Sequence, residues 1–302
     1  MPYAYLIVNP VAGAGKIARR WPVIMNYLQS VRFDFDFNFT ESPGHAVELA
    51  RSAAQKGHKL IVSVGGDGTI NEIVNGLHES DCMNHVMLGI LNTGTASDYI
   101  RTIGVPRSLE DACQRLINPD KYTVDIGVVE CTDNGNIVKR LFVNFAGLGF
   151  DAEIVKATTH KYKAMGKMSS YLLGLLTTLI TYKNKEISIT IDGKIQNMKI
   201  CTIIMGLGKY GGGGMLTTPN ADLSDNFFDV LVVGDLDKLD LLRSLPRIYK
   251  GTHLSHPKVD LIKATEVDIR PKINMPVQAD GEIVGESPAS FHILHSALTI
   301  AV

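Results

Sequence analysis

The segment KLIVSVGGDGTINEIVNGL, residues 59–77, decides the fold class of this chain. It begins with a continuous apolar run, Lys59–Val64, which predicts a buried strand. Glycines at positions 65, 66 and 68 then form a turn, and Thr69–His78 follows with the spacing of a helix. A strand that passes through a glycine turn into a helix is the first half of a parallel β-α-β unit.

The rest of the first third of the chain repeats this alternation of strand and helix. Three further strands and three further helices are predicted: Tyr3–Asn9, the alternating Phe33–Phe39 and Val86–Leu91 as strands, and Ile17–Ser30, Pro43–Gln55 and Leu109–Ile117 as helices. This order predicts an α/β domain with a parallel sheet and helices on both of its faces.

Near residue 120 the pattern changes to that of antiparallel strands. The dipeptides Asn134-Gly135, Asp192-Gly193 and Asp280-Gly281 are strong signals for tight turns. The strands predicted around and after them are Tyr122–Glu130, Ile137–Phe145, Ile187–Ile191, Met198–Met205, Phe227–Val233, Glu266–Arg270 and Asn274–Ala279. Two helices, residues 168–182 and Lys238–Lys250, interrupt these strands.

The sequence therefore predicts two domains. Residues 1–122 form the α/β domain, and residues 123–302 form an antiparallel β-sandwich domain whose last residues can return to the first. No low-complexity linker separates them, so we expect them to pack with a cleft between them.

Composition excludes several classes of protein. The formal net charge is −1, which disfavours a nucleic-acid partner that would need a polycation. The four cysteines include no CxxC pair, so neither a zinc site nor a disulfide framework is indicated. The first residues lack the features of a secretory signal, and no apolar run is long enough to span a bilayer. A cytoplasmic protein is expected.

The glycine turn at Gly65–Thr69 is the strongest signal for phosphate binding. Its glycines can adopt positive φ and present an array of N–H donors at the start of a helix. Thr69 can cap that helix or bind a phosphate oxygen. Asp67 would repel a phosphate unless a cation lay between them, which points to Mg²⁺. The alternative is a structural turn in which an Asp caps the helix.

Two further loops support the same reading. Asn9–Lys16 follows the first strand, but it is neither a Walker A loop, since Ile17 replaces Ser or Thr, nor a GxGxxG motif. Gly94–Asp98 follows the strand Val86–Leu91. All three loops thus leave the carboxyl ends of parallel strands, the edge at which open α/β sheets bind ligands.

Together these segments resemble the diacylglycerol kinase catalytic family, which includes sphingosine kinases and bacterial lipid kinases. The matching residues are Asn9-Pro10 with Gly13 and Gly15, Val64–Leu77, Gly94–Arg101 and Asp280-Gly281-Glu282. The resemblance implies an N-terminal α/β domain like that of NAD kinase and phosphofructokinase, a C-terminal β-sandwich, and an active site with ATP in the cleft between the domains.

The resemblance also implies site residues. The nucleotide-binding positions would be Asn9, Pro10, Gly13, Thr40, Gly66, Asp67, Gly68, Thr69, Asn71, Glu72, Thr95 and Asp98. Mg²⁺ would be held by Asp222, Asp225 and the main-chain carbonyl of Phe227. The catalytic residues would be Glu282, Asp280 and Asp67. A lipid hydroxyl needs a positioned base to accept its proton, and Glu282 is the candidate for that role.

The chain departs from the family pattern at two positions. Ser97 stands where Asn is usual, and Asn226 stands where Gly is usual. Asn tolerates left-handed backbone, so Asn226 can replace the glycine. Neither change removes a carboxylate, and an active enzyme is therefore expected.

The expected function is ATP-dependent transfer of the γ-phosphoryl group to a lipid hydroxyl, with diacylglycerol, giving phosphatidic acid, as the favoured acceptor. Two alternatives stay open. One is an NAD kinase-like kinase of a soluble substrate, and the other is a nucleotide-dependent lipid sensor without catalysis. A dinucleotide oxidoreductase is disfavoured because no GxGxxG follows the first strand.

A lipid substrate would require contact with a membrane. The apolar helix at 168–182 either packs on the sheet or lines a groove for an acyl chain. Basic residues precede and follow it and also follow the first loop: Lys156, Lys161, Lys163, Lys167, Lys183 and Lys185, with Lys16, Arg19 and Arg20. They form either an ordinary solvated surface or a patch that docks peripherally on the inner, anionic face of the membrane. The oligomeric state is left open, a homodimer included.

Overall fold

The computed structural model describes residues 3–91, 98–106, 108–161 and 167–302, without side-chain detail for 159–172. The chain divides into two compact units. Unit 1 consists of Met1–Ile126 and His295–Val302, and unit 2 consists of Gly127–Leu294. The last eight residues thus return to the first unit.

Unit 1 alternates strands and helices as predicted. Its elements are β1 (Ala4–Val8), α1 (Ala12–Ser30), β2 (Phe35–Phe39), α2 (His45–Gln55), β3 (Leu60–Val64), α3 (Asp67–Glu79), β4 (Met87–Leu91), α4 (Asp98–Ile103) and α5 (Leu109–Ile117). The short helix α4 was not predicted. Helix α3 begins at Asp67, two residues earlier than expected, because the chain turns into the helix immediately after Gly66.

The sheet of unit 1 is parallel and has the order β2-β1-β3-β4. Thr299 and Ile300, near the end of the chain, pair with β4 in the same direction. Val8 lies opposite both Phe39 and Val64, and Val64 lies opposite Leu91. The four strands therefore end level with one another, and the loops that follow them leave one edge, as predicted.

Helices cover the sheet of unit 1. Apolar residues of α1 and α5, among them Trp21 and Leu116, share one core cluster with β1, β3 and β4. Helices α2 and α3 pack together and against β1 and β3. A Cβ at Gly76 would collide with the carbonyl oxygen of Val47 and lie 3.0 Å from Ala50 Cβ. This close approach explains a glycine inside a helix, where it costs about 1 kcal/mol relative to alanine.

Unit 2 is rich in antiparallel strands. Its elements, with the strands shared by both units, are β5 (Lys121–Asp133), β6 (Asn136–Phe142), β7 (Phe145–Gly149), α6 (Phe150–Lys161), α7 (Lys167–Thr181), β8 (Lys185–Ile191), β9 (Lys194–Gly206), β10 (Tyr210–Gly211), β11 (Met215–Leu216), β12 (Phe228–Gly234), α8 (Lys238–Ile248), β13 (Val259–Ala264), β14 (Glu266–Pro271), β15 (Pro276–Ala279) and β16 (Glu282–Ala301).

The strands of unit 2 form a closed circuit of antiparallel pairs. It runs from β8 to β9, β7, β15, β16 and β14, and then back to β8. Strand β12 adds to β9, and β13 adds to β12. The long strand β9 pairs with three strands, β7, β8 and β12, and so connects the parts of this β-rich unit.

All three predicted tight turns are confirmed. Asn134 and Gly135 have φ of 48° and 83°, Asp192 and Gly193 have 44° and 80°, and Asp280 and Gly281 have 47° and 83°. Two successive positive φ values are the signature of the turn that matches the twist of a two-residue hairpin.

One predicted strand of unit 2 was wrong, and several elements were not predicted: α6, β10, β11, β13 and β16. The run Ile137–Phe145 is not one strand, because pairing of β6 ends at Phe142 and β7 begins at Phe145. Helix α6, which follows directly from β7, was missed, although Asp151 and Glu153 in its first turn are a recognisable start signal.

Helix α7 packs on the sheet, as one of the two readings of its pattern expected, because the apolar cluster that it contacts includes Cys201 of β9, Leu231 of β12 and Val259 of β13. Leu175 and Leu179 contact the apolar cluster around Phe150. The side with Gly174 faces α6, where a Cβ on Gly174 would lie 2.7 Å from Thr158 Oγ1. Leu176 stays exposed, although its spacing assigned it to the packed side.

Candidate active site

The candidate nucleotide site of unit 1 starts at the level ends of the parallel strands. Asn9, Thr40 and Gly65 are the first residues after β1, β2 and β3. The backbone N–H of Asn9 donates to Val64 O at 3.0 Å, and that of Thr40 donates to Val8 O at 2.9 Å. Two of the predicted positions, Asn9 and Thr40, are thus held at the same sheet edge as the start of the glycine turn.

The backbone conformation of the glycine turn that leads into α3 differs from the one expected. None of Gly65, Gly66 and Gly68 has a positive φ; Gly66, for example, is extended at φ −113° and ψ −171°. The expectation of left-handed backbone here was wrong, because the strand passes straight into the helix. Instead, a Cβ at Gly65 would lie 2.6 Å from Thr69 Cβ, whereas a Cβ at Gly66 or Gly68 would meet none of the described residues within 4 Å.

Two of these glycines therefore leave open space at the N-terminus of a helix. No side chain in the described part of the chain caps α3, whose N-cap residue is Gly66. The first N–H groups of a helix lack partners within the helix and carry partial positive charge, so they attract phosphate. The glycines at 66 and 68 give an anion access to them.

Thr69 ties this turn to the first loop. Its side chain is 4% exposed, and its Oγ1 accepts a hydrogen bond of 3.0 Å from Asn9 Nδ2. Asn9 Oδ1 in turn accepts from the backbone N–H of Val11 at 3.2 Å. Thr69 and Asn9 thus brace the two loops against each other.

The first loop carries the left-handed backbone that the glycine turn lacks. Gly13, Ala14 and Gly15 have φ of 61°, 58° and 77° within the span of α1. The N–H of Ala18 donates to Pro10 O at 3.3 Å and closes the loop onto the following helix. Positive φ is uncommon for alanine, so the flanking glycines and the loop geometry are needed to hold Ala14 there.

Asp67 and Asp98 are brought together, as their common sheet edge predicted. Asp67 Oδ2 accepts a hydrogen bond of 2.9 Å from the backbone N–H of Asp98, at the start of α4. Asp98 is 8% exposed. A carboxylate at the N-terminus of a helix is favoured by the helix dipole. Thr95, another predicted nucleotide contact, lies outside the described residues, as does Ser97.

Asn71 and Glu72 have contacts inside unit 1. Asn71 is buried, and its Oδ1 accepts from Asn75 Nδ2 at 3.1 Å. Glu72 Oε2 accepts from the backbone N–H of Ala46, at the start of α2, at 3.1 Å. Glu72 thus joins α3 to the start of α2, whereas Asn71 bonds within α3, and their roles as nucleotide contacts remain predictions.

In unit 2, Asp280 anchors the break between β6 and β7. Its Oδ2 accepts from the N–H of Val143 at 2.8 Å, and its Oδ1 accepts from those of Asn144 and Phe145 at 3.0 Å each. Both carboxylate oxygens are thus used by main-chain donors. This explains why Val143 and Asn144 do not continue the strand.

Glu282 stands at the outer end of the same turn. Its side chain is 57% exposed, and its Oε2 lies 3.7 Å from Arg140 Nη2 on β6. Arg140 was not predicted from the sequence, since nothing in the pattern of β6 distinguishes it. The exposed carboxylate is accessible to a substrate, as a general base must be.

A chain of hydrogen bonds from buried polar groups fixes the turn at Asp280-Gly281. The N–H of Gly281 donates to Gln278 Oε1 at 3.0 Å, and Gln278 Nε2 donates to Asp151 Oδ2 at 3.1 Å. Thr202 Oγ1 donates to Asp151 Oδ1 at 2.6 Å. Burial raises the pKa of the Asp151 carboxyl, although these hydrogen bonds oppose the change. The main chain leading into Glu282 is therefore fixed.

The predicted magnesium ligands lie in the loop before β12. Asp222 Oδ1 accepts from Ser224 N at 3.0 Å, and Asp225 Oδ1 accepts from Phe227 N at 3.1 Å. Asn226, between Asp225 and Phe227, has φ of 64°. This confirms that it adopts the left-handed backbone expected at a position where the family usually has glycine.

A lysine provides the cation for this acidic loop. Lys263 Nζ contacts Asp225 Oδ2 and lies 3.2 Å from Oδ2 of Asp229, which is 2% exposed. Burial raises the pKa of Asp229. Desolvation lowers the pKa of Lys263, but the two carboxylates outweigh it and raise that pKa. Sequence reasoning missed Asp229 and Lys263, which face each other across paired strands.

The donor set therefore does not fit a bound metal ion. Among the residues that the structure describes, no group of three or more His, Cys, Asp or Glu side chains could hold one. The ammonium group of Lys263 instead contacts one of the two carboxylates predicted as ligands. Over the same residues, no helix is long and apolar enough to cross a membrane.

Comparison with known proteins places both units. The diacylglycerol kinase catalytic domain matches residues 3–129, and the YegS C-terminal NAD kinase beta sandwich-like domain matches residues 144–302. The diacylglycerol kinase of Bacillus subtilis strain 168 is 29% identical over 304 residues, covering 100% of this chain and 97% of that one. That of Staphylococcus carnosus strain TM300 is 29% identical over 289 residues, covering 95% and 91%.

A solved structure agrees with these matches. A provisionally named diacylglycerol kinase from Bacillus anthracis strain Sterne superposes with a TM-score of 0.78 at 27% identity, over 99% of this chain and 97% of that one. The fold and these matches define a kinase with an N-terminal α/β domain and a C-terminal β-rich domain. The chain belongs to the diacylglycerol kinase catalytic-domain family, with the YegS-type C-terminal domain.

Proposed function

We propose that this kinase transfers the γ-phosphoryl group of ATP to the hydroxyl of diacylglycerol and so forms phosphatidic acid. The observation that carries the nucleotide part is the open N-terminus of α3. Among the described residues, Gly66 and Gly68 leave room there for a phosphate group, and the helix N-terminus carries the partial positive charge that attracts it. The names of the Bacillus and Staphylococcus relatives support the choice of acceptor.

The two units contribute different parts of the reaction in this proposal. Unit 1 binds ATP through the loops after β1, β2 and β3 and through Asp98. In unit 2, Glu282 accepts the proton of the lipid hydroxyl as its oxygen bonds to phosphorus. Arg140 Nη2 lies 3.7 Å from Glu282 Oε2 and places a positive charge beside this carboxylate. Asp280 fixes the turn from which Glu282 extends.

Mg²⁺ is the proposed metal cofactor, and it neutralises charge on the phosphates of bound ATP. The loop with Asp222 and Asp225 does not provide a fitting metal site, so we assign no step to a metal held there. The acceptor is a bilayer lipid, and we therefore include peripheral binding to the inner, anionic face of the membrane in the proposal.

An acceptor panel tests the proposed function. The protein is incubated with γ-labelled ATP, Mg²⁺ and, separately, diacylglycerol, a sphingoid base, phosphatidylglycerol and NAD, and the products are separated by mass. Label in phosphatidic acid is the expected result. Label in NADP would replace the lipid kinase by a kinase of a soluble substrate, and label in another lipid would correct the acceptor. Nucleotide binding without any transfer would indicate a lipid sensor.

A further inference from the structure

Helix α8 exposes apolar side chains along one side. None of its residues is buried, although five of its eleven residues are Leu or Ile. Leu239 and Leu242 are 54% and 47% exposed, and Tyr249, which directly follows the helix, is 54% exposed. At 100° per residue these three side chains project from one side of the helix. Exposed apolar residues grouped in this way mark an interaction surface.

The end of α7 extends the same surface. Leu176 and Ile180, one turn apart, are 44% and 70% exposed. The ammonium group of Lys238, the first residue of α8, donates to the carbonyl oxygen of Ile180. Beneath the surface, Leu179 of α7 and Leu241 of α8 pack against one apolar cluster. The exposed residues of the two helices therefore flank the same apolar cluster and are linked through Lys238.

We call Leu176, Ile180, Leu239, Leu242 and Tyr249 the α7–α8 ridge. Basic residues border it. Within residues 235–250 there are four basic and three acidic residues, and Lys183 and Lys185 follow α7. The acidic side chains are engaged within the unit: Asp237 Oδ1 accepts from the N–H groups of Leu239 and Asp240, and Asp235 Oδ1 lies 3.1 Å from Lys199 Nζ. Asp240 Oδ1 lies 3.9 Å from Arg243 Nη1 on the same helix, which leaves Arg247 and Lys250 as the basic residues for an anionic surface.

The basic side chains of α8 lie beside its exposed apolar side. Arg243, Arg247 and Lys250 follow Leu239 at helical positions adjacent to it. An apolar stripe next to a basic stripe is the pattern of helices that lie in the interface of anionic bilayers. A second copy of the chain fits less well, because a two-fold contact would bring the same basic residues of both copies together.

We propose that the α7–α8 ridge is the surface that docks on an anionic bilayer, with its apolar side chains inserted and Arg247 and Lys250 at the headgroups. This inference rests on the proposed function, which places the acceptor in a membrane. It assigns docking to α7 and α8 in addition to the lysines at 161–167, whose side chains the structure does not describe.

The first test is binding to vesicles of phosphatidylcholine with phosphatidylglycerol. Leu239→Gln with Leu242→Gln should lower the vesicle partition coefficient at least about tenfold, since two apolar side chains no longer insert. The control, Ile137→Gln with Ile195→Gln, removes two aliphatic side chains that are 84% and 71% exposed on other hairpins of unit 2, and it should bind like wild type. Arg247→Glu should lower partitioning about fivefold or more, an effect that disappears at high salt.

The second test separates docking from catalysis. With ATP and Mg²⁺, the leucine variant should lose phosphorylation of diacylglycerol in vesicles and keep phosphorylation of a short-chain diacylglycerol dissolved in water. Unchanged vesicle binding of that variant, or an equal loss in the control variant, would overturn the proposal. So would a wild-type dimer that the variant converts to a monomer without any change in vesicle binding. If no lipid is phosphorylated at all, the proposed function fails while the binding result still decides the docking surface.

Discussion

Asp280 and Glu282 lie two residues apart, yet the structure gives their carboxylates different surroundings. Asp280 accepts hydrogen bonds from three consecutive main-chain N–H groups, whereas Glu282 is exposed and has Arg140 near it. The sequence placed both in one catalytic segment. The geometry favours a division in which Asp280 fixes the turn and Glu282 does the chemistry.

Replacing Asp280 tests this division. Asp280→Asn keeps the left-handed turn, which Asn tolerates, but its amide cannot satisfy all three N–H donors. The free energy of unfolding, measured in urea, should fall by about 2–4 kcal/mol. Asp133→Asn, on an exposed hairpin, is the control and should change it by less than about 0.5 kcal/mol. A fully stable Asp280→Asn protein with lost activity would instead make Asp280 a catalytic residue.

Gly65 and Gly66 are adjacent, but glycine is needed at the two positions for different physical reasons. A Cβ on Gly65 would press on Thr69, so Gly65→Ala should lower the free energy of unfolding by about 1–3 kcal/mol. A Cβ on Gly66 meets open space on ordinary extended backbone, so Gly66→Ala should fold normally. It should weaken ATP binding about tenfold or more, because the methyl group occupies the proposed phosphate space. Urea unfolding and calorimetric titration with ATP read the two effects, and the reverse pattern would contradict the assignment.

At the scale of elements, the pairing of β12 with β13 brings a lysine to the acidic loop that contains Asp222 and Asp225, and this lysine balances part of the loop's negative charge. Asp229 on β12 and Lys263 on β13 face each other in the ladder, and Lys263 also reaches Asp225. A family motif read from Asp222 and Asp225 alone cannot show this, because the cation comes from a strand about forty residues later in the chain.

Removing this cation should destabilise unit 2. Lys263→Met leaves Asp229 buried without its ammonium partner, and the free energy of unfolding should fall by about 2–4 kcal/mol, less than for a fully buried pair because Lys263 is partly exposed. Lys121→Met, at an exposed position, is the control. Without ATP, Mg²⁺ should leave the wild-type Tm unchanged within about 1 °C. A clear rise in Tm with Mg²⁺ would restore the predicted metal site.

For the whole molecule, the sequence predicted both domain types, the parallel order of strand and helix, and all three tight turns. These follow from local signals such as apolar runs and Asn-Gly or Asp-Gly pairs. The break after Phe142 could not be predicted, because it depends on Asp280, which is more than 130 residues away. The site followed the same rule: loop positions were predictable from motifs, whereas Arg140 and Lys263 depend on tertiary pairing.

The stability of the whole protein should depend on pH through His253. This residue is 4% exposed, its Nε2 lies 3.0 Å from Thr217 O, and burial lowers its pKa below 6.5. Below pH 6.5 the unfolded chain binds a proton that the folded protein resists, so the free energy of unfolding should fall on acidification, by at most about 1.4 kcal/mol per pH unit.

The variant His253→Gln isolates this contribution. The buried carboxyls Asp151 and Asp229 have raised pKa values and act in the opposite direction, but they are common to both proteins. Urea unfolding between pH 7.5 and 5.5 should show a smaller acid loss in His253→Gln than in wild type. His85→Gln, at an exposed position, should keep the full acid loss. If the free energy of unfolding changed equally with pH in all three proteins, His253 would not contribute to the pH dependence.

The most direct test of the central claim is the rate of γ-phosphoryl transfer from ATP to diacylglycerol in mixed micelles, for wild type and for Glu282→Gln. The account predicts labelled phosphatidic acid from wild type. It predicts that Glu282→Gln lowers kcat at least about 100-fold, because the proton acceptor is lost. The KM for ATP and the free energy of unfolding should stay unchanged, since Glu282 is 57% exposed. Transfer to diacylglycerol at an unchanged rate in the variant, or none in wild type, would contradict the account.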